Sequence, residues 1–397
     1  MPRDPNPIVI SAARRTPLGA FMGALSGVSA TELGTAAIRA AVSDAGLAPD
    51  RVSEVLMGCV LPAGLGQAPA RQAARGAGLA DATGATTVNK VCGSGMKAVM
   101  IGHDLLRAGS AGIVVAGGME AMSGAPFLLS EMRKGRKAGS SELLDHMMKD
   151  GLEDAYDRGR PMGLFGEATA ERYGFSREDQ DSYAIETLTR ARQAVERGAF
   201  DAECAAVTVR TRKGEVTVVR DERPLQIAPD KIPGLRSAFG EGGTITAASS
   251  SANADGAAAL VLTTEATAVA EDMPVMARIL GHATHSQEPA WFTTAPIPAI
   301  RKLLDQLGWA AAEVDLFEIN EAFAVVSMAA AQEIGIPRDR LNVNGGACAL
   351  GHPIGATGAR ILVTLLHALR ARGLRRGIAC LCIGGGEATA VAVELVG

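Results

Sequence analysis

The sequence predicts an α/β protein made of two similar halves with an insertion between them. Three observations carry this reading. Residues 37–52 (AIRAAVSDAGLAPDRV) and 299–314 (AIRKLLDQLGWAAAEV) align without a gap and share Ala, Ile, Arg, Gly, Ala and Val. Farther on, each half sets a glycine-rich turn directly before a helix of apolar period 3.6: TTVNKVCGSGMKAVMIGHDLLRAG in one, LNVNGGACAL…GATGARILVTLLHALRARG in the other. Each helix leads to an apolar β run that ends in glycines, GIVVAGGME at 112–120 and GIACLCIGGGE at 377–387. Short helices match by chance, but three matched blocks in one order mark a duplicated unit.

The elements follow in order. Residues 1–121 with 248–272 form the first half, 122–247 the insertion and 273–397 the second half. In each half the amphipathic helix ends near a glycine and is followed by an apolar run, VLMGCV in the first and LFEI in the second. Strands alternating with helices imply parallel or mixed sheets covered by helices, with ligands between the two halves. The insertion has no counterpart in the second half. It predicts one long helix, SREDQDSYAIETLTRARQAVERG, with Ser176 as N-cap and Glu178 and Asp179 in its first turn. We read the insertion as folding over the mouth of the site. Its run of four basic residues within 133–137 reads as a solvated loop, with an anionic ligand or a subunit contact as the alternative.

Composition bounds the function. The chain has 397 residues, 47% hydrophobic, 21% charged and 4% aromatic, which is globular and long enough for two or three domains. Its 47 glycines follow no G-X-Y period, so collagen is excluded. Lys and Arg total 39 against 43 Asp and Glu, a net charge of −4, so no nucleic-acid partner is expected. Six cysteines, at 59, 92, 204, 348, 380 and 382, are too scattered for a disulfide framework. A reducing, cytoplasmic setting is the expectation. The opening MPRDPNPIVISAARRTP lacks a signal-peptide core, and no stretch approaches the ~18–20 apolar residues that span a bilayer.

Candidate chemistry gathers in the glycine-rich turns. Cys92 follows an apolar β run and precedes a helix, so its sulfur is placed at a helix N-terminus, where the dipole and free N–H groups favour a thiolate. An inert buried cysteine is the ordinary alternative, but the strand–Cys–Gly–x–Gly–helix context is that of a nucleophile elbow. His352, in GGACALGHPIGATGAR, is placed to take a proton from a thiol or to donate to an oxyanion. His103 and His367 fall on helices and read as packing or surface residues. Cys380 and Cys382 share one face of a strand, and Cys382 lies at its end, where a second thiol suits a general acid/base with a pKa not far above neutral. A metal cluster of Cys348, Cys380, Cys382 and His352 fits no recognised zinc spacing, so no metal ligands are expected. Asn320, in EINEAFA, is either a helix cap or a functional group. No clean G-x-G-x-x-G followed by an acidic residue argues for a dinucleotide site in the first unit.

Together these segments resemble the thiolase family, specifically its acetyl-CoA acetyltransferase branch. The likeness runs from PIVISAARRTPLGAFMGALS to LCIGGGEATAVAVEL through VNKVCGSGMKAV, AGGMEAMS, NEAFA, NGGACALGHPIGATGAR and CIGGG. The resemblance implies thiolase-like duplicated α/β halves in a layered α-β-α-β-α arrangement. It implies Cys92 as the acylated nucleophile, and His352 as its activator and part of an oxyanion hole. Asn320 would hold a water in that hole, and Cys382 would exchange a proton with the substrate α-carbon. The N–H of Gly384, with that of Cys92, would form a second oxyanion hole. Ser251, Leu152, Met162, Ala247, Phe239 and Phe292 would contact the coenzyme A arm or the acyl group. The implied substrates are acetyl-CoA, acetoacetyl-CoA and coenzyme A, with no cofactor, and the basic run 133–137 falls where the family carries a tetramerisation loop.

Three positions depart from the short-chain pattern. Pro161-Met162-Gly163 stands where many acetoacetyl-specific members read His-Met-Gly, Ser249 replaces an Asn, and Phe292 stands where short-chain members often carry Met. A degradative 3-ketoacyl-CoA thiolase of broader chain length is therefore the neighbouring reading. A ketosynthase would carry a second histidine where NEAFA has Asn320. From another class, a non-catalytic CoA- or lipid-binding relative would not need Cys92, His352 and Cys382 together.

Overall fold

The computed structural model describes residues 5–396, so the first four residues of the N-terminal stretch read above lie outside the described ones. The first half runs through β1 (Ile8–Arg15), β2 (Gly19–Ala20), α1 (Ala30–Asp44), β3 (Glu54–Gly58), α2 (Pro69–Gly76), β4 (Gly84–Val88), α3 (Ser94–Arg107) and β5 (Ile113–Ala121). Between residues 122 and 247 lie two small antiparallel pairs and two helices. These are β6 (Phe127–Leu128) with β7 (Leu144–Asp145), α4 (Gly163–Tyr173), α5 (Arg177–Glu196), and β8 (Val207–Thr211) with β9 (Gly214–Val218). β10 (Ala254–Thr264) and α6 (Glu265–Ala270) return to the first half. The second half is β11 (Ala277–Ser286), α7 (Pro296–Leu307), β12 (Leu316–Ile319), α8 (Ala324–Ile334), α9 (Ala347–Leu350), α10 (Thr357–Arg372), β13 (Arg376–Ile383) and β14 (Glu387–Leu395).

Local chemistry sets the helix ends. Ser29 caps α1 and Glu32 reaches back to the Ser29 N–H, a reciprocal capping box that Ser176 and Asp179 repeat on α5. The long helices α7 and α10 stop at Gly308 and Gly373, both left-handed, a conformation that costs a side chain on Cβ but not glycine.

One mixed sheet carries both halves in the order β12-β13-β14-β11-β1-β10-β5-β3-β4, with β2 paired to β10. The duplication is visible in its register. β3 runs parallel to β5, β5 antiparallel to β10, and β10 antiparallel to β1. β12, β13, β14 and β11 repeat that pattern. The halves join through β1 and β11 at just two residue pairs, Val9 with Arg278 and Ile10 with Ala277. The second half reduces the equivalent of β4 to a single parallel bridge, Phe317 with Leu341.

Alternating side chains sort into layers. Val114 and Ala116 of β5 share a core with Met96 and Val99 of α3, Leu362 and Leu365 of α10, and Leu381 and Val393 of the second half. Ile113 and Val115 face the other way, onto Leu33 and Ile38 of α1. In the second half, Ile378 and Cys380 face Ile300 and Leu303 of α7. Helices α3 and α10 are therefore the middle layer, with a half-sheet on either side and an outer helical layer beyond each. Each fully buried Leu in that middle layer contributes roughly 1.5–3 kcal/mol.

The insertion is tied to this core by charge. Arg15 of β1, with no exposed surface, donates to Glu203 at 2.5 Å and to both oxygens of Asp221 at 2.7 and 2.8 Å. Removing one partner would strand a buried charge, at a cost of about 3–5 kcal/mol.

Candidate active site

The turn between β4 and α3 holds Cys92. Ser94 locks it: its hydroxyl accepts from the Lys90 N–H at 2.8 Å and donates to the Val91 carbonyl at 2.6 Å, while Asn89 Oδ1 accepts from the Val91 N–H. Val91 sits at φ +47°, a left-handed position that a β-branched residue occupies at a cost of about 1–3 kcal/mol. This is the elbow read from the sequence, with a strain at Val91 that the sequence did not show, and it turns Cys92 towards the cavity. The Gly384 N–H and the Cys92 N–H stand near the Cys92 sulfur and favour its charged form. Protein crowds the sulfur on every side but the cavity, and that burial outweighs both donors, pushing the thiol up to about 11. The expected resting thiolate is corrected here. α3 begins only at Ser94, with Gly93 as its N-cap, so Cys92 precedes the helix.

His352 stands on the loop between α9 and α10, its N–H bonded to the Ala252 carbonyl. Its Nδ1 lies 2.6 Å from the Thr357 hydroxyl oxygen, whose single hydrogen goes to the Pro353 carbonyl at 2.9 Å. Thr357 therefore accepts, Nδ1 carries the proton, and Nε2 is left as a buried lone pair without a protein partner. Burial, and then the Arg360 charge, hold this imidazole down to about 3, so it is neutral. Glu120 of β5 fixes the loop from below, accepting from the Gly355 N–H at 2.8 Å and from the N–H groups of Val60 and Leu61. Gly118 permits the approach: a Cβ there would lie 2.0 Å from the Gly355 carbonyl oxygen.

Cys382 ends β13 and is fully buried. Burial first, then the neighbouring Cys92 and Cys380, push its thiol well above the ordinary range, which corrects the near-neutral value expected for it. Asn320 follows β12, its N–H bonded to the Cys380 carbonyl. It is 1% exposed, and neither side-chain polar atom has a protein partner. A helix cap it is not, because α8 starts at Ala324 with Phe323 before it. Its neighbour Glu321 is the anchor, accepting from the Tyr183 hydroxyl at 2.9 Å, Asn342 at 3.0 Å and the Cys348 N–H at 3.1 Å.

Cys92, His352, Gly384, Leu152, Met162, Phe292 and Ser251 line one cavity of about 310 Å³, with residues 149–156 of the insertion as one wall. Cys382 packs behind it against Phe292 and Phe165, and Phe292 meets Phe165 edge to face. Phe239 and Ala247 lie elsewhere. They line an adjoining groove with Arg223 and Gln226 that shares only Ser251 with the cavity. Among the described residues, Cys348, Cys380, Cys382 and His352 do not converge on one point. Cys348 bonds Glu321, and Cys380 faces the Pro296 carbonyl. Such a site can deprotonate one thiol, bind a negative oxygen on two N–H groups, and hold a second thiol near the reacting carbon.

The family models for the thiolase N-terminal domain and the thiolase C-terminal domain match residues 8–266 and 273–395. The chain belongs to the thiolase family. This thiolase is 46% identical to the probable acetyl-CoA acetyltransferase of Dictyostelium discoideum, across 98% of this chain and 94% of that one. It is also 46% identical to the acetyl-CoA acetyltransferase of Pseudomonas aeruginosa, across 97% and 98%. Among solved structures, it superposes on the Bacillus anthracis acetyl-CoA acetyltransferase with a TM-score of 0.96 at 39% identity, covering 98% of this chain and 99% of that one. On the Ascaris suum Acat5 thiolase in complex with coenzyme A, the TM-score is 0.92 at 40% identity, covering 98% and 100%. Three groups that position the site in this thiolase escaped the sequence reading: Thr357, Glu120 and the strained Val91. Glu120 left one signal, a lone acid in the apolar run of β5. No helix among the described residues is long and apolar enough to cross a membrane.

Proposed function

We propose that this thiolase catalyses the reversible Claisen condensation of two acetyl-CoA molecules to acetoacetyl-CoA and coenzyme A, through an acyl-cysteine at Cys92. The observation that carries this reading is the set of groups around one sulfur: a lone pair on His352, N–H donors from Gly384 and Cys92, and a second thiol behind. Relatives at 46% identity over nearly their whole length, named acetyl-CoA acetyltransferases, support the substrate.

In this mechanism His352 Nε2 takes the Cys92 proton as the sulfur attacks the acetyl carbon. The coenzyme A sulfur leaves and takes that proton back, and Cys92 holds the acetyl group. His352 next takes the Cys382 proton, and the resulting thiolate removes a proton from the methyl group of the second acetyl-CoA. The carbon attacks the acyl-cysteine, the bond from Cys92 to the acyl carbon breaks, and the departing Cys92 sulfur takes the proton that His352 holds. Donors on the developing oxyanions contribute about 10²–10³ each in rate, and Asn320 and His352 would serve one of the two holes. The thioester already activates both carbons, so this chemistry calls for no cofactor or metal. With neutral His352 and protonated Cys92 at rest, the ion pair forms only as the acyl group arrives.

Phe292 fills volume beside Cys92 that a longer tail would need, and overfilling costs ~1–3 kcal/mol. Acetoacetyl-CoA is therefore expected among the better thiolysis substrates, despite Pro161. A kcat/KM rising steadily from the four-carbon to the ten-carbon ketoacyl-CoA would favour the degradative reading instead. For the chemistry itself, mass spectrometry after incubation with acetyl-CoA should place the acetyl group on Cys92 and nowhere in Cys92→Ala, which should not turn over. Acetylation of Cys348, Cys380 or Cys382 would overturn the assignment.

A homotetramer in the cytoplasm completes the reading. The exposed apolar side chains Phe127, Leu129, Met132 and Leu143, flanking the basic run of the insertion, support a subunit contact, which light scattering of the purified chain tests. Six free cysteines fit a reducing compartment.

A further inference from the structure

Far from Cys92, two of the six histidines meet over one carboxylate. His103 and Asp104 lie near the end of α3, about 14 Å along the helix from Ser94, and His282 lies on β11 of the other half. His103 Nδ1 is 3.0 Å and His282 Nε2 2.9 Å from the same oxygen, Asp104 Oδ1. The rings meet edge to face with centroids 4.9 Å apart. Among the described residues, this is the one group in which three ligand atoms of His, Cys, Asp or Glu fall within 4.8 Å of one another.

We propose that His103, Asp104 and His282 form a zinc-binding site that clamps α3 of the first half to β11 of the second. Two nitrogens and a carboxylate oxygen are a donor set for a borderline ion such as Zn²⁺ rather than for Mg²⁺ or Ca²⁺. Ligands at ~2.0–2.1 Å from a tetrahedral zinc stand about 3.3 Å apart, so both nitrogen–oxygen separations need only a few tenths of an ångström more. The imidazoles are each about one-fifth exposed and Asp104 more than half, which leaves water a path to the fourth position. Both frames are rigid: α3 lies in the middle layer, and His282 is paired with Val391 in the sheet.

The protons balance without release. In the hydrogen-bonded arrangement each imidazole points an N–H at Asp104, and in its neutral form its other nitrogen holds a lone pair. When zinc takes those positions, each proton transfers through water to the ring's other nitrogen, His103 Nε2 and His282 Nδ1, and two metal–nitrogen bonds replace two hydrogen bonds. The nearby charge of Arg107, which His103 feels, repels the cation and sets the affinity below that of an all-anionic cage.

The test uses the full chain, stripped with a chelator and titrated with Co²⁺, then Zn²⁺. Cobalt separates this site from the thiols, because thiolate ligation adds a strong near-ultraviolet charge-transfer band that nitrogen and oxygen ligands do not. We expect one equivalent of Co²⁺ with visible absorption of N/O type, displaced by Zn²⁺, and a rise in Tm with Zn²⁺. His282→Gln keeps an N–H donor for Asp104 and preserves the fold, which unchanged thiolysis activity reports. It should lower metal affinity by more than the roughly 10–100-fold that losing an outer-shell partner costs, and abolish the Tm rise; Asp104→Asn should do the same. Binding in His282→Gln equal to the parent, a spectrum carried only by thiolate ligands, or no binding at micromolar metal would each overturn the proposal.

Discussion

The reactivity of His352 hangs on one hydroxyl. Because Thr357 spends its only hydrogen on the Pro353 carbonyl, it fixes the imidazole proton on Nδ1 and the lone pair on Nε2. Thr357→Val removes that acceptor, and kcat/KM for thiolysis should fall by ~10–10², whereas Thr357→Ser should retain most of it. Equal activity in both variants would show that the tautomer is set elsewhere. Cys382→Ser should still let acetyl-CoA label Cys92 but slow the carbon–carbon step by ~10²–10⁴; equal loss of both half-reactions, measured separately, would make Cys382 structural. At this scale the sequence exposed the reactive groups but not their protonation. Cys92 and His352 stand out because glycines flank them, and the start of α3 is readable from its period. The crowding that lifts both thiols is not, because it comes from elements distant in the chain. Thr357 reads as an ordinary first helical residue until the loop folds back onto it.

Elements meet where side chains are missing. The Gly355 carbonyl oxygen occupies the place of a Cβ on Gly118, so Gly118→Ala must push the His352 loop away from β5. Overpacking of this kind costs about 1–3 kcal/mol, and a displacement of even 1 Å at the imidazole costs rate as well. Calorimetry and thiolysis assays should therefore both register the change, the second more than the first; a lower Tm with full activity would mean that the loop follows the sheet. The repeated pairs, α1 with β3 and α7 with β12, were legible because amphipathic period and glycine stops recur in both halves. The second-half counterpart of β4 was not, since a single bridge at Leu341 has no pattern to read. Asn320 was open between cap and catalyst for a similar reason: it stands three residues before Phe323, the cap position of α8, and sequence spacing does not place a helix start that finely.

Across the whole molecule, buried acids make stability fall as pH rises. Burial lifts Glu120 to about 7 and Glu318 to about 8, the latter despite its pairing with Arg360. A carboxyl with a raised folded pKa binds its proton more tightly in the native state, so its contribution is fully present below the unfolded value near 4.5 and is lost as pH rises through 7–8. Each such group has a limiting slope of about 1.4 kcal/mol per pH unit. The Tm should decline between pH 6 and 8, and Glu318→Gln should flatten that decline even where it lowers Tm overall. An unchanged slope in that variant would show that Glu318 is already ionised. The shared middle layer has a consequence of another kind, for synthesis. Met96, Val99 and Met100 of α3 are covered by α10, which arrives more than 250 residues later. A nascent chain therefore carries the helix behind its nucleophile with one greasy flank bare until almost the last residues have left the ribosome, and the first half cannot close its core alone. Truncation near the C-terminus should yield aggregates rather than a folded half, and chaperone occupancy should persist to the end of translation.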